Sequence, residues 1–271
     1  MNNISKRRLE WDYLQDGAIG NDIINKIVKF NQESASLLSP NLQSTPYTHE
    51  ILNWLEAVEW TDVLPEYFIE EISLHVDKVN FPSSVRNYVE WQIPNGVIAE
   101  LLYNSFGRST DLLSKSYASA GALYPVMPLL LVIDKNAIEG ISKPGSYIYD
   151  GSNQKLLRLA DWSSNETLNK VKSALCPKEK TFSNVAMAYS LDIRRSATKY
   201  RLRGYRHGLI EVGLMAQSFK TVLRKNKYGL AECIYSGYND NLLTYLCGLN
   251  VRLAPIVGLQ WFGKAKEGNE I

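Results

Sequence analysis

Two segments of the sequence hold side chains that could transfer a proton or bind an anion. One reads Lys199-Tyr-Arg-Leu-Arg-Gly-Tyr-Arg206 and leads directly into a long apolar run. A lysine withdrawn from water has a lowered pKa, and Lys199 in that state, or Tyr200 beside cations, could accept or relay a proton. A basic strand edge with one aromatic residue would give the same letters, so this segment alone leaves both interpretations open.

The second segment reads Ala118-Ser-Ala-Gly-Ala-Leu-Tyr-Pro125 and runs into an apolar stretch at residues 126–133. Small residues in a tight turn expose backbone, which can lie flat against a planar ligand. The hydroxyl of Ser119 and the backbone donors of Gly121 and Ala122 could then hydrogen-bond the edge of a ring. The alternative is a turn that needs glycine for its geometry alone.

Hydrophobic periodicity predicts the elements that must position these segments. Apolar residues at helical spacing predict helices at residues 22–30 and 50–58. The turn-forming residues Pro82-Ser-Ser84 then break the pattern and place a domain boundary near residue 80. We therefore expect an N-terminal helical extension at residues 1–80 and the main domain at residues 81–271.

Within the main domain, Pro94 favours the start of a helix that ends near Gly107. Short apolar or alternating stretches predict strands at residues 129–133, 146–149, 185–189 and 255–261. Helical or turn-rich stretches separate these strands, and this order predicts an α+β fold. A helix at residues 206–224 is apolar on several faces, which predicts that it is buried.

The bulk composition excludes several classes of protein. The 271 residues are 45% hydrophobic, enough for a sizeable core, and 30 basic against 28 acidic residues leave a net charge of +2, which gives no argument for nucleic acid. Neither Cys176, Cys233 and Cys247 nor the histidines have metal-ligand spacing, so no metal is expected. Without a secretion signal or a membrane-spanning run, a cytoplasmic protein is expected.

In these motifs the chain resembles the nitroreductase-like, FMN-dependent dehydrogenases of the SagB/McbC type, which make thiazoles and oxazoles in peptide natural products. The family motifs are Pro-Ser-(Ala/Gly)-Gly-Ala-Leu-Tyr-Pro, Lys-Tyr-Arg-x-Arg and Glu-x-Gly-x-x-x-Gln. They match residues 118–125, 199–203 and 211–217, and the resemblance covers residues 81–263. It implies a nitroreductase-like fold, with a mainly antiparallel sheet flanked by helices, and a homodimer that binds two flavins between its subunits.

The resemblance also implies roles for individual residues. Lys199 and Tyr200 match the catalytic pair, which would take a proton while the flavin accepts a hydride. Ser84 and Arg86 match the second half of a phosphate clamp whose first arginine is replaced by Pro82, so that Lys264 or Lys266 could supply the missing charge. The remaining FMN-binding candidates are Ser119, Gly121, Ala122, Arg201, Arg203, Gln217 and Gly237.

Three assignments stay open at this point. Arg201 and Arg203 could neutralise a flavin phosphate, orient an acidic peptide, or pair with a carboxylate such as Glu211. Glu211 itself would need a partner if it were buried. His207 follows the basic cluster, but the family has no histidine there and we expect a structural role.

The implied function is oxidation of thiazolines or oxazolines to thiazoles or oxazoles in a ribosomally made precursor peptide. The implied partners are that peptide, a cyclodehydratase and a leader-binding subunit, with residues 1–80 as a docking surface. Two alternatives remain open: a generic NAD(P)H-dependent nitroreductase or quinone reductase, and a flavin-free scaffold subunit of the same complex. The missing first arginine and the unusual residues 114–118 favour the scaffold.

Overall fold

The structure is a computed structural model that describes residues 19–35, 48–58, 61–77, 79–81, 83–110, 114–177 and 181–266. This part of the chain holds seven α-helices and six strands. In chain order they are α1 (Asn21–Ser34), α2 (His49–Val58), α3 (Asn95–Phe106), β1 (Val126–Val132), β2 (Gly145–Asp150), β3 (Lys155–Asp161), α4 (Asn165–Leu175), β4 (Val185–Leu191), α5 (Ile193–Tyr200), α6 (Leu202–Arg224), β5 (Leu230–Tyr235), α7 (Asp240–Leu246) and β6 (Ile256–Lys264).

The six strands form one antiparallel sheet in the order β3-β2-β1-β4-β6-β5. Strands β1 and β4 lie in the middle and are apolar along almost their whole length, as strands covered on both faces must be. The α+β fold with a mainly antiparallel sheet, flanked by helices, is therefore confirmed. Strand β3 at the edge was not predicted, because its exposed positions carry Leu157 and Leu159 and hide the alternation.

Alternate residues of each strand face two separate layers of helices. Leu130 and Met187 pack in one cluster with residues of α3 and α6. Leu129 and Ala186 face the opposite side, where they pack with residues of α4 and α7. The fold is thus a three-layer arrangement with the sheet in the centre.

Helix α6 packs on the sheet through Met215, Phe219 and Leu223, all buried. The opposite side of the same helix leaves Ile210 and Leu214 exposed. The prediction of a buried helix therefore holds for one side of α6 within a single chain, and its apolar character continues onto an uncovered side.

The chain divides into two compact units, residues 1–37 with 83–271 and residues 38–82. In the first unit, α1 packs into the core through Ile27 and Val28, and Asn31 Oδ1 accepts a hydrogen bond of 2.8 Å from the Tyr205 hydroxyl. The second unit contains α2, and its described residues 61–77 and 79–81 form no helix or strand. The two helices predicted before residue 60 are both present, and the domain boundary near residue 80 stays a prediction.

No helix in the described ranges combines the length and the apolar character needed to cross a membrane. The three cysteines are buried, and none of them forms a disulfide. Among the described residues, no group of three or more histidine, cysteine or acidic side chains is placed to hold a metal ion.

Candidate functional site

The turn at residues 119–125 has a strained backbone. Gly121, Ala122 and Tyr124 all have positive φ, at 62°, 53° and 48°. Each non-glycine residue in this region costs about 1–3 kcal/mol and persists only where its surroundings hold it. Gly121 and Ala122 are exposed, so the turn presents its backbone to a ligand.

Neighbouring elements hold this turn at several points. Arg195 Nε donates a hydrogen bond of 2.5 Å to the carbonyl of Leu123. The Asp192 N–H donates one of 3.0 Å to the carbonyl of Pro125. Inside the turn, Ser119 Oγ accepts the Tyr124 N–H at 2.8 Å. The side chain of Ser119 is therefore engaged in the turn itself.

Helix α5 delivers Lys199 and Tyr200 to the turn. Asp192 caps the start of the helix by accepting a hydrogen bond of 3.0 Å from the Arg195 N–H. Lys199 and Tyr200 are the last two residues of the helix. A Cβ added to Gly121 would come within 2.6 Å of the Tyr200 hydroxyl and 2.8 Å of Lys199 Nζ. The two sequence motifs therefore meet in space, and the contact leaves no room for a side chain at Gly121.

A sharp corner at Arg201 separates α5 from α6. Arg201 has φ 53° and ψ −135°, and a Cβ on Gly204 would collide with the Ser196 carbonyl of the preceding helix. The long helix therefore starts at Leu202, four residues before the start at residue 206 that the sequence indicated. The corner fixes the direction in which Lys199 and Tyr200 project.

His207 packs against Tyr200 in an edge-to-face contact, with 4.8 Å between ring centroids. Its Nδ1 is buried and has no hydrogen-bond partner in the described part of the chain. Sequence reasoning set this residue aside as structural, and the ring contact gives it a place directly behind a candidate catalytic tyrosine.

Ser84 and Arg86 lie in a second place in the fold, away from the turn, beside edge strand β5 of the sheet. Between them, the Val85 N–H donates to the carbonyl of Glu232 in β5 at 3.1 Å. The segment then pairs with the end of β6, where the Lys266 N–H donates to the Asn87 carbonyl at 3.1 Å and the Val89 N–H to the Lys264 carbonyl at 3.0 Å. Three basic residues therefore lie on two paired segments, namely Arg86, Lys264 and Lys266.

The two places are at opposite ends of the sheet. Ile256, the first residue of β6, pairs with Ser190 close to the start of α5, whereas Lys264 is the last residue of β6. Nine residues of strand span about 25–30 Å. A single chain therefore does not bring the Arg86 segment to the Gly121 turn.

The other predicted FMN-binding residues lie outside both places. Gly237 is half-buried in the loop after β5, with the Tyr235 ring folded against it. Arg203 is exposed in the first turn of α6. Gln217 lines a cavity of about 1230 Å³ between α3 and the second half of α6, together with Lys225 and Lys227.

Lys115 belongs to the unusual segment at residues 114–118 and lies close to the turn, where its backbone N–H donates to the Tyr124 hydroxyl at 3.4 Å. Its Nζ is 5.3 Å from the ring centroid of Tyr124 and 5.5 Å from that of Tyr117. Burial, and secondly the charge of Arg108, lowers the pKa of Lys115 to about 8. A cation is therefore present behind the turn at neutral pH, and it loses its proton more easily than a surface lysine.

A buried polar network was missed in the sequence. Lys220 Nζ is 2.9 Å from Glu232 Oε1, and Gln260 Nε2 donates to Glu232 Oε2 at 3.0 Å. The Tyr189 hydroxyl donates to Gln260 Oε1 at 2.6 Å. The available signal in the sequence was the polar residues within the apolar strands. The network connects α6 to β4, β5 and β6.

Comparison with known proteins identifies relatives of the whole fold. No family model matches the chain. It is 27% identical over 199 residues to the microcin B17-processing protein McbC of Escherichia coli. This match covers 68% of this chain and 72% of McbC. The chain is a homologue of McbC. A chain of the Escherichia coli microcin synthetase McbBCD complex with truncated pro-MccB17 bound superposes with a TM-score of 0.79 at 23% identity, covering 94% of this chain and 97% of that one.

Two further relatives place the McbC homologue in a wider group. The putative nitroreductase MJ1384 of Methanocaldococcus jannaschii is 26% identical over 64% of this chain and 83% of its own length. A putative nitroreductase from Ralstonia eutropha superposes with a TM-score of 0.54 at 14% identity, covering 76% of this chain and 97% of that one. The fold is therefore nitroreductase-like, as predicted, and the chain is of the oxidoreductase type.

The described residues fit FMN in two respects. The backbone of Gly121 and Ala122 is exposed and lies against two side chains able to hold a proton, as a flat ring with a reacting partner requires. The hydroxyl of Ser84 and the charges of Arg86, Lys264 and Lys266 supply the donors that a phosphate requires.

Proposed function

We propose that the chain is an FMN-dependent dehydrogenase that oxidises thiazolines or oxazolines in a ribosomally made precursor peptide to thiazoles or oxazoles. The contact of Gly121 with the Tyr200 hydroxyl and Lys199 Nζ carries this proposal. Aromatising an azoline ring removes a hydride from one carbon and a proton from its neighbour. Two proton-holding groups beside an open backbone surface fit that requirement, which reduction of a quinone does not impose.

The reaction needs one acceptor for the hydride and another for the proton that leave the ring. FMN, when bound, would accept the hydride, and we propose molecular oxygen as the final acceptor of both electrons. Either Tyr200 or Lys199, in its deprotonated form, would act as the base and take the proton from the ring carbon. Lys199 is exposed, so a proton that reaches it can pass to solvent.

The cofactor would be held by residues from both places in the fold. We assign the phosphate to Ser84 and Arg86 with Lys264 and Lys266. The backbone of Gly121 and Ala122 would face the ring, with Ser119 positioned by the turn, and the Gly237 amide would donate to the ring edge. We assign Arg201, Arg203 and Gln217 to the remainder of the cofactor and the peptide.

A homodimer would unite the two places. Because the Arg86 segment and the Gly121 turn lie at opposite ends of one sheet, a site that uses both needs two chains. The uncovered side of α6 offers the contact: Ile210 is 56% exposed and Leu214 40% exposed, and Gly213 has open space beside it. A two-fold axis along this side of the helix would place it against its own copy.

We further propose that the partners are the precursor peptide, a cyclodehydratase and a leader-binding subunit, and that residues 1–80 form a docking region. The relative that superposes on 94% of this chain was solved in a synthetase complex with a peptide bound. Monomeric proteins rarely expose apolar patches larger than about 300–600 Å². Residues 61–81 nevertheless expose large apolar side chains to at least 61%, namely Val63, Leu64, Tyr67, Phe68, Ile69, Ile72, Leu74, Val76, Val79 and Phe81.

The proposal is tested first on the purified protein. We expect a yellow protein that releases stoichiometric FMN on denaturation. Incubated with an azoline-containing peptide and oxygen, it should remove two hydrogen atoms per ring, which mass spectrometry detects. A protein that stays colourless with added FMN would support the scaffold alternative instead.

The similarity to putative nitroreductases favours a second candidate, a nitroreductase or quinone reductase. That enzyme would be reduced rapidly by NADH or NADPH, and would pass the electrons to a quinone without any azoline substrate. Stopped-flow reduction by both nucleotides separates the two candidates. Fast reduction combined with no azoline oxidation would decide for the second.

A further inference from the structure

We propose that His207 is a positioning residue, whose ring holds the Tyr200 ring so that the Tyr200 hydroxyl stays against Gly121. The inference rests on the proposed function only for its catalytic consequence. The contact between the two rings is a property of the chain itself, and it can be measured without cofactor or substrate.

The Tyr200 side chain has few contacts that could fix its orientation. Tyr200 is the last residue of α5, and the strained corner at Arg201 follows it. Among the described residues, none forms a hydrogen bond with the Tyr200 hydroxyl. Two neighbours contact the ring: Lys199 Nζ at 5.4 Å from its centroid, and the His207 ring at 4.8 Å between centroids. Because Lys199 is an exposed and flexible side chain, the histidine is the rigid neighbour.

Helix α6 holds His207 in a fixed place. Gly204 and Gly208, which lie on either side of His207 in the sequence, are both buried. A Cβ on Gly208 would come within 2.5 Å of the Leu191 side chain at the end of β4, and a Cβ on Gly204 would collide with the Ser196 carbonyl of α5. The first turns of α6 therefore lie closely against both elements. The His207 ring projects from this closely packed backbone.

His207 has two features that could act on Tyr200, namely its ring and a buried nitrogen. Aromatic rings attract each other edge to face when their centroids are about 4.5–7 Å apart, and these two rings meet at 4.8 Å with an interplanar angle of 76°. His207 Nδ1 is buried and has no hydrogen-bond partner in the described ranges, so it does not bond the tyrosine. The geometry therefore assigns the effect to the ring. A phenylalanine would keep that contact without a buried, unpaired nitrogen.

The catalytic consequence follows from distance. Because the Tyr200 hydroxyl lies against Gly121, rotation of the tyrosine ring would move the oxygen away from the surface proposed to bind the flavin ring. Loss of an aromatic edge contact shifts an equilibrium by about 2- to 10-fold, and a displacement of about 1 Å in a reacting arrangement can cost about 100-fold in rate. We therefore expect kcat to fall by about 10- to 100-fold in His207→Ala, with little change in KM.

The chain offers a matched control in a second tyrosine of the same helix. Tyr205 also lies in the first turns of α6, and it makes an edge-to-face contact with Phe30 of α1, with 5.9 Å between ring centroids. Phe30→Ala removes that contact and leaves the neighbours of the Tyr200 ring in place. Effects of a lost aromatic contact on α6 as a whole are thereby separated from effects on Tyr200.

The first measurement is NMR on the full-length protein with ¹³C-labelled tyrosine rings, with and without added FMN. Tyr200→Phe identifies the Tyr200 signal. In wild type we expect a nuclear Overhauser effect between the Tyr200 and His207 rings. His207→Ala should move and broaden the Tyr200 signal, whereas Phe30→Ala should move the Tyr205 signal and leave that of Tyr200 unchanged.

The second measurement is steady-state oxidation of an azoline peptide by the FMN-loaded variants. His207→Phe keeps a ring and should recover most of the turnover lost in His207→Ala. His207→Asn keeps a polar group without the ring and should resemble His207→Ala. In the Tyr200→Phe background, His207→Ala should have little further effect on kcat, because the histidine acts through the tyrosine.

An unchanged Tyr200 signal in His207→Ala would overturn the inference, and so would an equal change in Phe30→Ala. Recovery of turnover by His207→Asn but not by His207→Phe would also overturn it, because the nitrogen would then be the acting group. Should the alanine variant not fold, the Tyr200 signal in His207→Phe against His207→Asn decides in the same way. If wild type binds no FMN or oxidises no azoline, the proposed function fails, and the NMR comparison still decides whether the histidine holds the tyrosine.

Discussion

The Tyr200 hydroxyl lies directly over Gly121, so that a methyl group added to the glycine would come within 2.6 Å of that oxygen. The two residues belong to motifs far apart in the sequence, and α5 and the strained turn bring them together. Their contact defines the point where a planar ligand and a proton acceptor would meet.

Gly121→Ala should therefore disrupt the site by steric collision and by strain at φ 62°. We expect azoline oxidation to fall about 100-fold, as for a displaced reacting arrangement, and FMN retention to weaken. The free energy of unfolding should drop by about 1–2 kcal/mol. Turnover, FMN titration and urea denaturation measure the three effects.

Gly229→Ala is the matched control for that substitution. Gly229 also has a positive φ, at 69°, but a Cβ there meets nothing within 4 Å. It should reproduce the strain and leave turnover intact. Equal activity losses in the two variants would contradict a site at Gly121.

Lys199→Ala and Tyr200→Phe should keep the yellow flavin and lose azole formation. Removing a general acid or base typically costs about 10²–10⁴-fold in rate. Single-turnover kinetics with the azoline peptide, beside the flavin absorbance spectrum, tests this. Lys170→Ala is the control, since Lys170 is an exposed lysine of α4 paired with Glu166. Loss of flavin from the Lys199 variant would show that the lysine binds the cofactor instead.

Some of this arrangement was readable in the sequence and some was not. Strands β1 and β4 were predictable because they are continuous apolar runs. The motif around Gly121 is recognisable by its small residues, and the motif at Lys199 by its basic residues and tyrosines. The approach of the Tyr200 hydroxyl to Gly121 joins residues distant in sequence, and no local pattern reports such a contact. Edge strand β3 was missed because leucines occupy its exposed positions.

The same limit applies to the predicted cofactor residues. Sequence order does not tell which end of a sheet a segment reaches, so Arg86 and Gly121 were expected in one site. The antiparallel pairing puts them at opposite ends of β6. The strand register gives the physical reason why a shared site would need the second chain that the resemblance implies.

Arg86→Ala should weaken FMN binding without affecting the fold, since Arg86 is exposed. A charge-assisted hydrogen bond to phosphate contributes about 1.5–3 kcal/mol, so the dissociation constant should rise about 10- to 100-fold. Fluorescence titration with FMN, and with riboflavin as a ligand lacking the phosphate, measures the effect. Lys155→Ala, at an exposed position on edge strand β3, should change neither value. A similar loss for riboflavin would argue against a phosphate contact.

Lys115→Met should change how stability depends on pH. The folded-state pKa is lowered to about 8 from an ordinary 10.5, so between these pH values the unfolded chain binds more protons. The contribution of Lys115 to the free energy of unfolding therefore rises with pH across this window. Urea denaturation from pH 7 to pH 10.5 should show wild type gaining stability relative to Lys115→Met. Parallel curves for the two proteins would contradict the lowered pKa.

Leu214→Lys should dissociate the proposed homodimer. Leu214 is 40% exposed on the uncovered side of α6, and a charge buried in a two-fold contact would face its own copy. We expect light scattering after size exclusion to report a monomer, and FMN retention to fall with it, because the Arg86 segment and the Gly121 turn would no longer meet across two chains. Leu159→Lys is a close control, since Leu159 is 39% exposed but lies on edge strand β3. A Leu214→Lys monomer that keeps its flavin would show that one chain suffices for binding, and a wild-type monomer would remove the basis for a shared site.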